Sequence, residues 1–553
     1  MGSRMNRRFL ILDCYVDEPA CLGVPPFVAP YPRYILGALF DAGVPPEAVD
    51  YLTIDNLRVS GYRLEERYEE AFVIGGAVVP GKYLGHRIGT LAELLRTMDA
   101  NPRQEFAVGG MIAPLLERER RPNCLPVLRD IEAYAYTKAR GAPSDERRTT
   151  EQIARWAVSG AGLARRHPDH PNIICEIETF RGCPRLSHCS FCSEGATHEL
   201  EFRDEGDILS EIDALTAAGV TRFRLGRQAD ILQYRTPFAE FRKGFPRPSV
   251  EAVSDLFGEL KKRRDAGAIR VLNIDNGNPG TIANFPSESA AILRAIVGAI
   301  TPGDTLAMGV ESLDPAVIAR NGLKVNAREL LEAVRLVNDI GGRREEGLPA
   351  LLPGINLIHG LPGESMDTFR LNYEGLAAIA GAGLMIKRIN IRKLLPYPGT
   401  AAGGAFREPA VRIRNRYEYY KRRIREEIDH VMLRRVYPAG TVLREALVEE
   451  RRHGYSLAKQ IASYSITAAV PLELPLKSFA DLIVVGHRER SLAALPRPLG
   501  INDLPAKALE LIAGIGRKSA SELVLRRPFT GKEEVRRIAP AIPEALLDDM
   551  AFD

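Results

Sequence analysis

The chain has 553 residues, with 75 Lys and Arg against 71 Asp and Glu, a formal charge of +4, and 45% hydrophobic and 26% charged residues. This balance excludes a disordered or collagenous chain, and at roughly 100–200 residues per domain the length implies about three to five compact units rather than one small module. No apolar run approaches the roughly 20 residues that cross a bilayer. The opening MGSRMNRRFLILDCYV passes into acidic residues without a signal-peptide cleavage site, so the expectation is a cytoplasmic protein with no membrane partner.

In chain order, residues 1–165 read as a doubly wound α/β domain. The apolar run Phe9 to Leu12 predicts a buried strand, and PRYILGALFDAGV follows it with helical spacing. AFVIGGAVVPG and EFAVGGM are short strands ending in Gly75–Gly76 and Gly109–Gly110. Over 166–404, strands and helices alternate from NIICEIET through RFRLG, IRVLNID, TLAMGVES and GINLIHG to IKRINIRKLL. Six strand candidates with intervening helices predict an α/β fold built on a partial (β/α)6 barrel, whose chemistry sits at the C-terminal strand ends. Residues 405–436 form a basic helical connector carrying Arg412, Arg414, Arg416, Lys421, Arg422, Arg423, Arg425, Arg434 and Arg435. A small all-β module is expected over 437–497 and a short helical unit over 498–553.

Seven cysteines are too few, and odd in number, for a disulfide framework. Cys14, Cys21, Cys124 and Cys175 are scattered, whereas Cys183, Cys189 and Cys192 fall in one loop after the first barrel strand, in ETFRGCPRLSHCSFCSEG. Three thiolates can hold three irons of a cubane and leave the fourth without a protein ligand. A zinc site completed by His188 or His198 is the alternative.

These cysteines and four later segments resemble the radical S-adenosylmethionine (SAM) superfamily, closest to its methylthiotransferase and Elongator-like branch. The segments are Gly226-Arg227-Gln228-Ala229-Asp230, GVESLDPAVIARNGLKVN at 310–326, GINLIHGLPGESMDTF at 354–369 and LLPYPGTAA at 394–402, spread over about 220 residues. The family spacing is C-x3-C-x2-C, while this chain has C-x5-C-x2-C, with Arg-Leu-Ser-His in the lengthened loop. The resemblance implies a [4Fe–4S] cluster on Cys183, Cys189 and Cys192, with Phe191 shielding it. It also implies an external one-electron donor and SAM cleavage to a 5′-deoxyadenosyl radical. Gly226, Gln228, Glu311, Ser312, Ile358 and Gly360 would be the SAM-binding positions. Asn276 and Asn278 would face the same cavity or make Asx-type turns.

The N-terminal domain resembles those that precede this barrel in cobalamin-dependent enzymes and in methylthiotransferases. Cobalamin is not expected, because its D-x-H-x-x-G loop has only the counterpart Leu84-Gly85-His86-Arg87-Ile88-Gly89, without the aspartate. A second [4Fe–4S] cluster on Cys14, Cys21 and Cys124 is the methylthiotransferase alternative, although their spacing differs from that family's.

Residues 441–489 resemble the TRAM β-barrel of tRNA methylthiotransferases, which would contact RNA through Arg451, Arg452, Lys459 and Tyr464. INDLPAKALELIAGIGRKSASELVL resembles a helix-hairpin-helix. There Gly514 and Gly516 permit the turn, and Arg517 and Lys518 sit where a phosphate would bind. The expected function is a radical SAM enzyme modifying RNA, tRNA by analogy, with methylthiolation the nearest reaction. The rivals are the same chemistry on a small molecule, lipid or protein, and a non-enzymatic Fe–S nucleic-acid-binding protein.

Overall fold

The computed structural model describes residues 7–18, 20–77, 83, 85–143, 147–197, 199–408 and 411–552. The chain opens with β1 (Phe9–Glu18), β2 (Phe27–Val28), α1 (Tyr31–Asp41), β3 (Val49–Thr53), β4 (Glu70–Ala77), β5 (Phe106–Gly109), β6 (Cys124–Pro126), α2 (Ile131–Arg140) and α3 (Thr150–Ser159). Five of these strands form a parallel sheet in the order β3-β1-β4-β5-β6. Phe9 and Ile11 enter one apolar core while Leu10 and Leu12 enter another on the opposite face. A strand covered on both faces has no reason to alternate, which explains the unbroken apolar run.

The central unit follows with β7 (Ile174–Glu178), α4 (Glu205–Ala217), β8 (Arg222–Gly226), α5 (Val250–Asp265), β9 (Val271–Ile274), α6 (Pro286–Ala299), β10 (Asp304–Glu311), α7 (Ala327–Gly341), β11 (Leu351–His359), α8 (Met366–Gly381) and β12 (Arg388–Lys393). Six parallel strands curve in sequence, but the wall is split. β7, β8 and β9 form one sheet and β10, β11 and β12 another, with the isolated bridge Asn276–Ala307 between them. β2 crosses from the N-terminal segment to pair with β7, Phe27 opposite Ile174. The barrel wall is therefore extended by residues that sequence reading assigned to the preceding domain.

The connector forms α9 (Val411–Ile424), a π-helical turn at Arg425–Asp429 and α10 (His430–Val436). Tyr417, Tyr420, Ile424, Ile428 and Met432 join the barrel's main core. Several of its arginines are tied to the protein's own carbonyls and carboxylates. Arg425 donates to Ile389 O at 2.8 Å and pairs with Asp429, Arg435 donates to Leu384 O at 2.8 Å, and Arg423 pairs with Glu427 at 2.7 Å. Arg412, Arg414, Arg422 and Arg434 remain exposed.

The β-module is a closed barrel of β13 (Val442–Arg452), β14 (Tyr455–Gln460), β15 (Thr467–Val470), β16 (Phe479–His487) and β17 (Leu492–Pro496). Four short helices follow: α11 (Ala506–Leu509), α12 (Arg517–Leu525), α13 (Lys532–Ile538) and α14 (Glu544–Leu547). Ile483, Val485 and Leu495 of the β-barrel share one core with Leu509, Ile512, Leu523 and Leu546 of the C-terminal unit. The small barrel docks beneath the N-terminal ends of the large barrel's strands. Arg222, at the start of β8, lies 3.9 Å from the Phe479 ring centroid and pairs with Glu445.

Candidate active site

β7 delivers the chain to the C-terminal mouth of the barrel, where Gly182 (φ +82°) turns it into the cysteine loop; a Cβ there would meet Glu199 O at 2.8 Å. Cys183, Cys189 and Cys192 all line one cavity of about 700 Å³, within the range of about 300–1,000 Å³ typical of ligand sites. Around Cys189 and Cys192 stand Phe191, Val317, Leu323, Ile358, Leu361 and Leu394, an apolar shell of the kind that limits solvent access to a cluster. The extra residues of the C-x5-C loop bring in Arg185. Its Nη1 lies 3.3 Å from Cys189 Sγ, Nη2 donates to Gly322 O at 3.1 Å, and the guanidinium covers the Phe245 ring at 4.7 Å. Burial pushes the Cys183 thiol up and the Cys192 thiol up to about 12.

For the zinc alternative, His188 lines the same cavity as the three cysteines. His188 is exposed and a Cβ on Gly195 would strike its ring, while His198 lies outside the described residues. Among the described residues, no three His, Cys, Asp or Glu side chains stand close enough together to hold one metal ion. A cubane asks something else of its ligands: thiolates spaced around a volume rather than meeting at a point. Three thiols on one cavity, an apolar shell and two facing cations fit that demand.

Glu311 and Lys324 face the cysteines. Glu311 sits in the left-handed region (φ +66°), an uncommon conformation for a residue with a Cβ. Its Oε1 is 3.6 Å from Lys324 Nζ and its buried Oε2 has no hydrogen-bond partner. Burial raises its pKa, partly offset by Lys324. Burial would depress Lys324, but the charges of Cys189 and Glu311 outweigh it and leave the ammonium stabilised.

Not every expected SAM position reaches the cavity. Gln228 is fully buried, accepts from Thr179 Oγ1 and donates to Leu225 O, each at 3.2 Å, so its amide is satisfied within the wall. Ser312 bonds Asn372 Oδ1 at 3.3 Å and caps Asp314 N, which makes it a turn-forming residue. Gly226 is needed for packing, since a Cβ there would fall 1.7 Å from Glu176 Oε1. Gly360 (φ +94°) shapes the turn after β11. Ile358 and Glu311 do line the cavity. So do Asn276 and Asn278, and Asn278 also makes the expected Asx turn by accepting from Gly280 N.

The cavity floor was not anticipated. The loop from Ile461 to Ile466 of the small barrel rises into the large barrel from below. Ser463 N donates to Asp304 Oδ1 at 2.9 Å, Ser463 Oγ donates to Ile274 O at 2.5 Å, and Ser463 O accepts from Thr305 Oγ1 at 2.6 Å. Above it Arg224 contacts both oxygens of Glu176 at 2.6 Å and Asp275 at 2.5 Å. Tyr464, read as a surface RNA contact, is instead an inward residue: its hydroxyl meets the Asn356 side chain at 3.1 Å and its ring faces Gly354. The inward polar side chains of β12 were also missed. A visible signal was the alternation in RINIRK, where Ile389 and Ile391 pack outward and Arg388, Asn390 and Arg392 turn to the cavity.

The N-terminal cysteines do not converge. Cys14 on β1 and Cys124 on β6 are separated by three strand spacings of about 4.8 Å. Cys14 packs under Gly89, and Cys21 lines the cavity apart from both. Leu84, where a cobalamin loop would carry aspartate, lies outside the described residues. His86 is held by Asp55 at 2.8 Å and Asp169 at 3.1 Å.

Of the remaining RNA candidates, Lys459 pairs with Glu449 at 3.0 Å and Arg452 pairs with Glu450, while Arg451 stays exposed. Gly514 (φ +87°) leaves room for Ala541 O, which would be 2.3 Å from a Cβ, so the turn before α12 packs on the segment between α13 and α14. Gly516 precedes α12, and Arg517 and Lys518 are exposed at its start.

No protein-family profile matches the chain. An uncharacterized protein of Archaeoglobus fulgidus is 38% identical over 533 residues, covering 96% of this chain and 97% of its own. Uncharacterized protein MJ0274 of Methanocaldococcus jannaschii is 38% identical over 511 residues, 88% and 93% of the two chains. Among solved structures, the fold is similar to the radical S-adenosylmethionine methyltransferase TsrM of Kitasatospora setae, with cobalamin and a [4Fe–4S] cluster bound. Its TM-score is 0.47 at 15% identity, over 72% of this chain and 74% of that one. The cobalamin-dependent S-adenosylmethionine radical enzyme OxsB gives a TM-score of 0.43 at 15% identity, over 68% and 52%.

Proposed function

We propose that this chain, which belongs to the same protein family as the Archaeoglobus fulgidus protein and MJ0274, is a radical SAM enzyme acting on RNA. One observation carries the reading. Three cysteines of one loop and Glu311, a buried carboxyl with one oxygen that has no hydrogen-bond partner, line a single cavity at the C-terminal mouth of six parallel strands. A [4Fe–4S] cluster, with SAM, would supply one-electron cleavage of a sulfonium bond.

The chain's own residues do the rest. Cys183, Cys189 and Cys192 would hold three irons, and Arg185 donates toward the Cys189 sulfur. Glu311 offers a desolvated carboxyl to an ammonium group, and Lys324 partly offsets the burial that raises its pKa. Phe191 and Leu394 exclude water from a step in which a free radical must not be quenched. RNA as the partner is supported by the exposed Arg517 and Lys518 at the start of α12, where backbone N–H groups and two cations suit a phosphate. Methylthiolation draws no support from the N-terminal cysteines, so the reaction put forward is hydrogen abstraction at a carbon.

The test is anaerobic iron and sulfide quantification on the wild type and on the C183A/C189A/C192A variant, followed by a SAM cleavage assay. About four irons per chain in the wild type, lost in the variant together with deoxyadenosine formation, is the expected result. Cleavage that persists in the variant would sink the assignment.

A further inference from the structure

One wall of the cavity is lined by polar side chains of the last barrel strand. β12 turns Arg388, Asn390 and Arg392 inward, spanning about 13 Å at roughly 3.3 Å per residue. In register with them on β11 stands Asn356, opposite Asn390. The side chains form a continuous hydrogen-bonded strip. Arg388 Nε donates to Asn390 Oδ1 at 3.2 Å, Asn390 Nδ2 to Asn356 Oδ1 at 2.9 Å, and Asn356 Nδ2 to the Tyr464 hydroxyl at 3.1 Å. Each amide nitrogen has two hydrogens and uses one here, so the strip offers two further donors to the cavity.

Its charged end is unusual. Among the described residues the hydrogen-bond partners of Arg388 are neutral, Asn390 Oδ1 and, at 3.4 Å, Ser465 O. Beside it lie Arg425, Arg490 and one carboxylate, Asp429, which Arg425 already occupies. Glu489 also lines the cavity, and Glu449 is committed to Lys459. Burial and the neighbouring Arg425 hold the Arg388 guanidinium below its usual pKa. A guanidinium kept half-buried without a carboxylate is costly unless a ligand supplies the anion. Tyr464, at the other end of the strip, is held in the left-handed region (φ +53°) by the plugging loop, so its ring is imposed on the cavity by tertiary structure.

We propose that this strip binds the substrate and that its ligand is a nucleotide unit. The phosphate would lie against Arg388 and Arg490, because two adjacent guanidiniums suit a doubly charged oxyanion better than a carboxylate. The base edge lies along Asn390, Asn356 and the Tyr464 hydroxyl, which present donors and an acceptor in a row. The proposal deepens the radical SAM reading and rests on it for the meaning of the site, though binding itself needs no cluster.

The experiment is equilibrium dialysis of the full chain against the four nucleoside 5′-monophosphates, the matching nucleosides and a short single-stranded RNA. At least one monophosphate should bind tenfold or more tightly than its nucleoside. R388Q should bring that ratio to within about twofold, and R388K should retain part of it. Y464F should weaken nucleotide and nucleoside alike. R490Q, at an exposed residue, gives the same phosphate readout should R388Q fail to fold. If R388Q weakens RNA as well as the mononucleotide, the source is a nucleotide of RNA; if only the mononucleotide, a free nucleotide. Equal binding of nucleosides and monophosphates by the wild type, or an unchanged ratio in folded R388Q and R490Q, overturns the proposal. Nucleotide binding without SAM cleavage in the iron-loaded protein would overturn the enzyme reading alone.

Discussion

Arg224→Met tests whether the barrel floor is held by charge. The Arg224 side chain is 6% exposed, contacts both Glu176 oxygens at 2.6 Å and Asp275 at 2.5 Å, and donates from Nε to Ser463 Oγ at 3.0 Å. Methionine fills the stem but leaves two buried carboxylates without their cation. Breaking a buried pair in this way costs about 3–5 kcal/mol, and the lost bond to Ser463 adds about 1 kcal/mol. The loss depends on pH in a fixed direction. Burial has already pushed Glu176 up to about 7 and raised Asp275, and removing Arg224 raises both further. The folded state then keeps protons that the unfolded state releases above about 4.5, so the variant loses stability as pH rises through that window to beyond 7. Because a chain of this size need not unfold in one step, the assay is hydrogen exchange read on residues 222–226 and 461–466 at pH 5.5 and 8. Protection should fall sharply at pH 8 and recover in part at pH 5.5. Adding E176Q and D275N to the variant should recover most of it at both. A loss below about 1 kcal/mol at pH 8, or equal losses at the two pH values, would refute the reasoning.

Three further predictions follow from single contacts. Arg185→Gln should retain the cluster but shift its midpoint potential negative, since a charge-assisted donor to the Cys189 sulfur is lost; EPR-monitored redox titration would expose an unchanged potential. Gly226→Ala places a Cβ 1.7 Å from Glu176 Oε1 and should destabilise the barrel by about 1–3 kcal/mol, a value that denaturant melts monitored on β8 would check. Replacing both Arg517 and Lys518 with Ala should weaken RNA binding and lower the salt slope by about 1.4; an unaltered slope removes α12 from the RNA contact.

Much of the chemistry was legible locally. Cys183, Cys189 and Cys192 lie within one loop, so covalent connectivity alone keeps them on one side of a strand end, and the order of strands and helices announced the parallel wall. The alternation of RINIRK carried the inward face of β12, although its meaning depended on the barrel interior being polar rather than packed with branched apolar residues. What the sequence could not decide was which distant segments meet. Whether Cys14 and Cys124 converge depends on strand order, and the order β3-β1-β4-β5-β6 sets them three strands apart. Gln228 stands in the expected segment, yet Thr179 and Leu225 satisfy it inside the wall. Tyr464 reads as a surface aromatic until the docking of one barrel under another turns its loop inward, because three hydrogen bonds of Ser463 have partners more than 150 residues away. Periodicity reports which way a side chain faces within its own element; what it faces is set by long-range packing, and here that packing made the floor of the site.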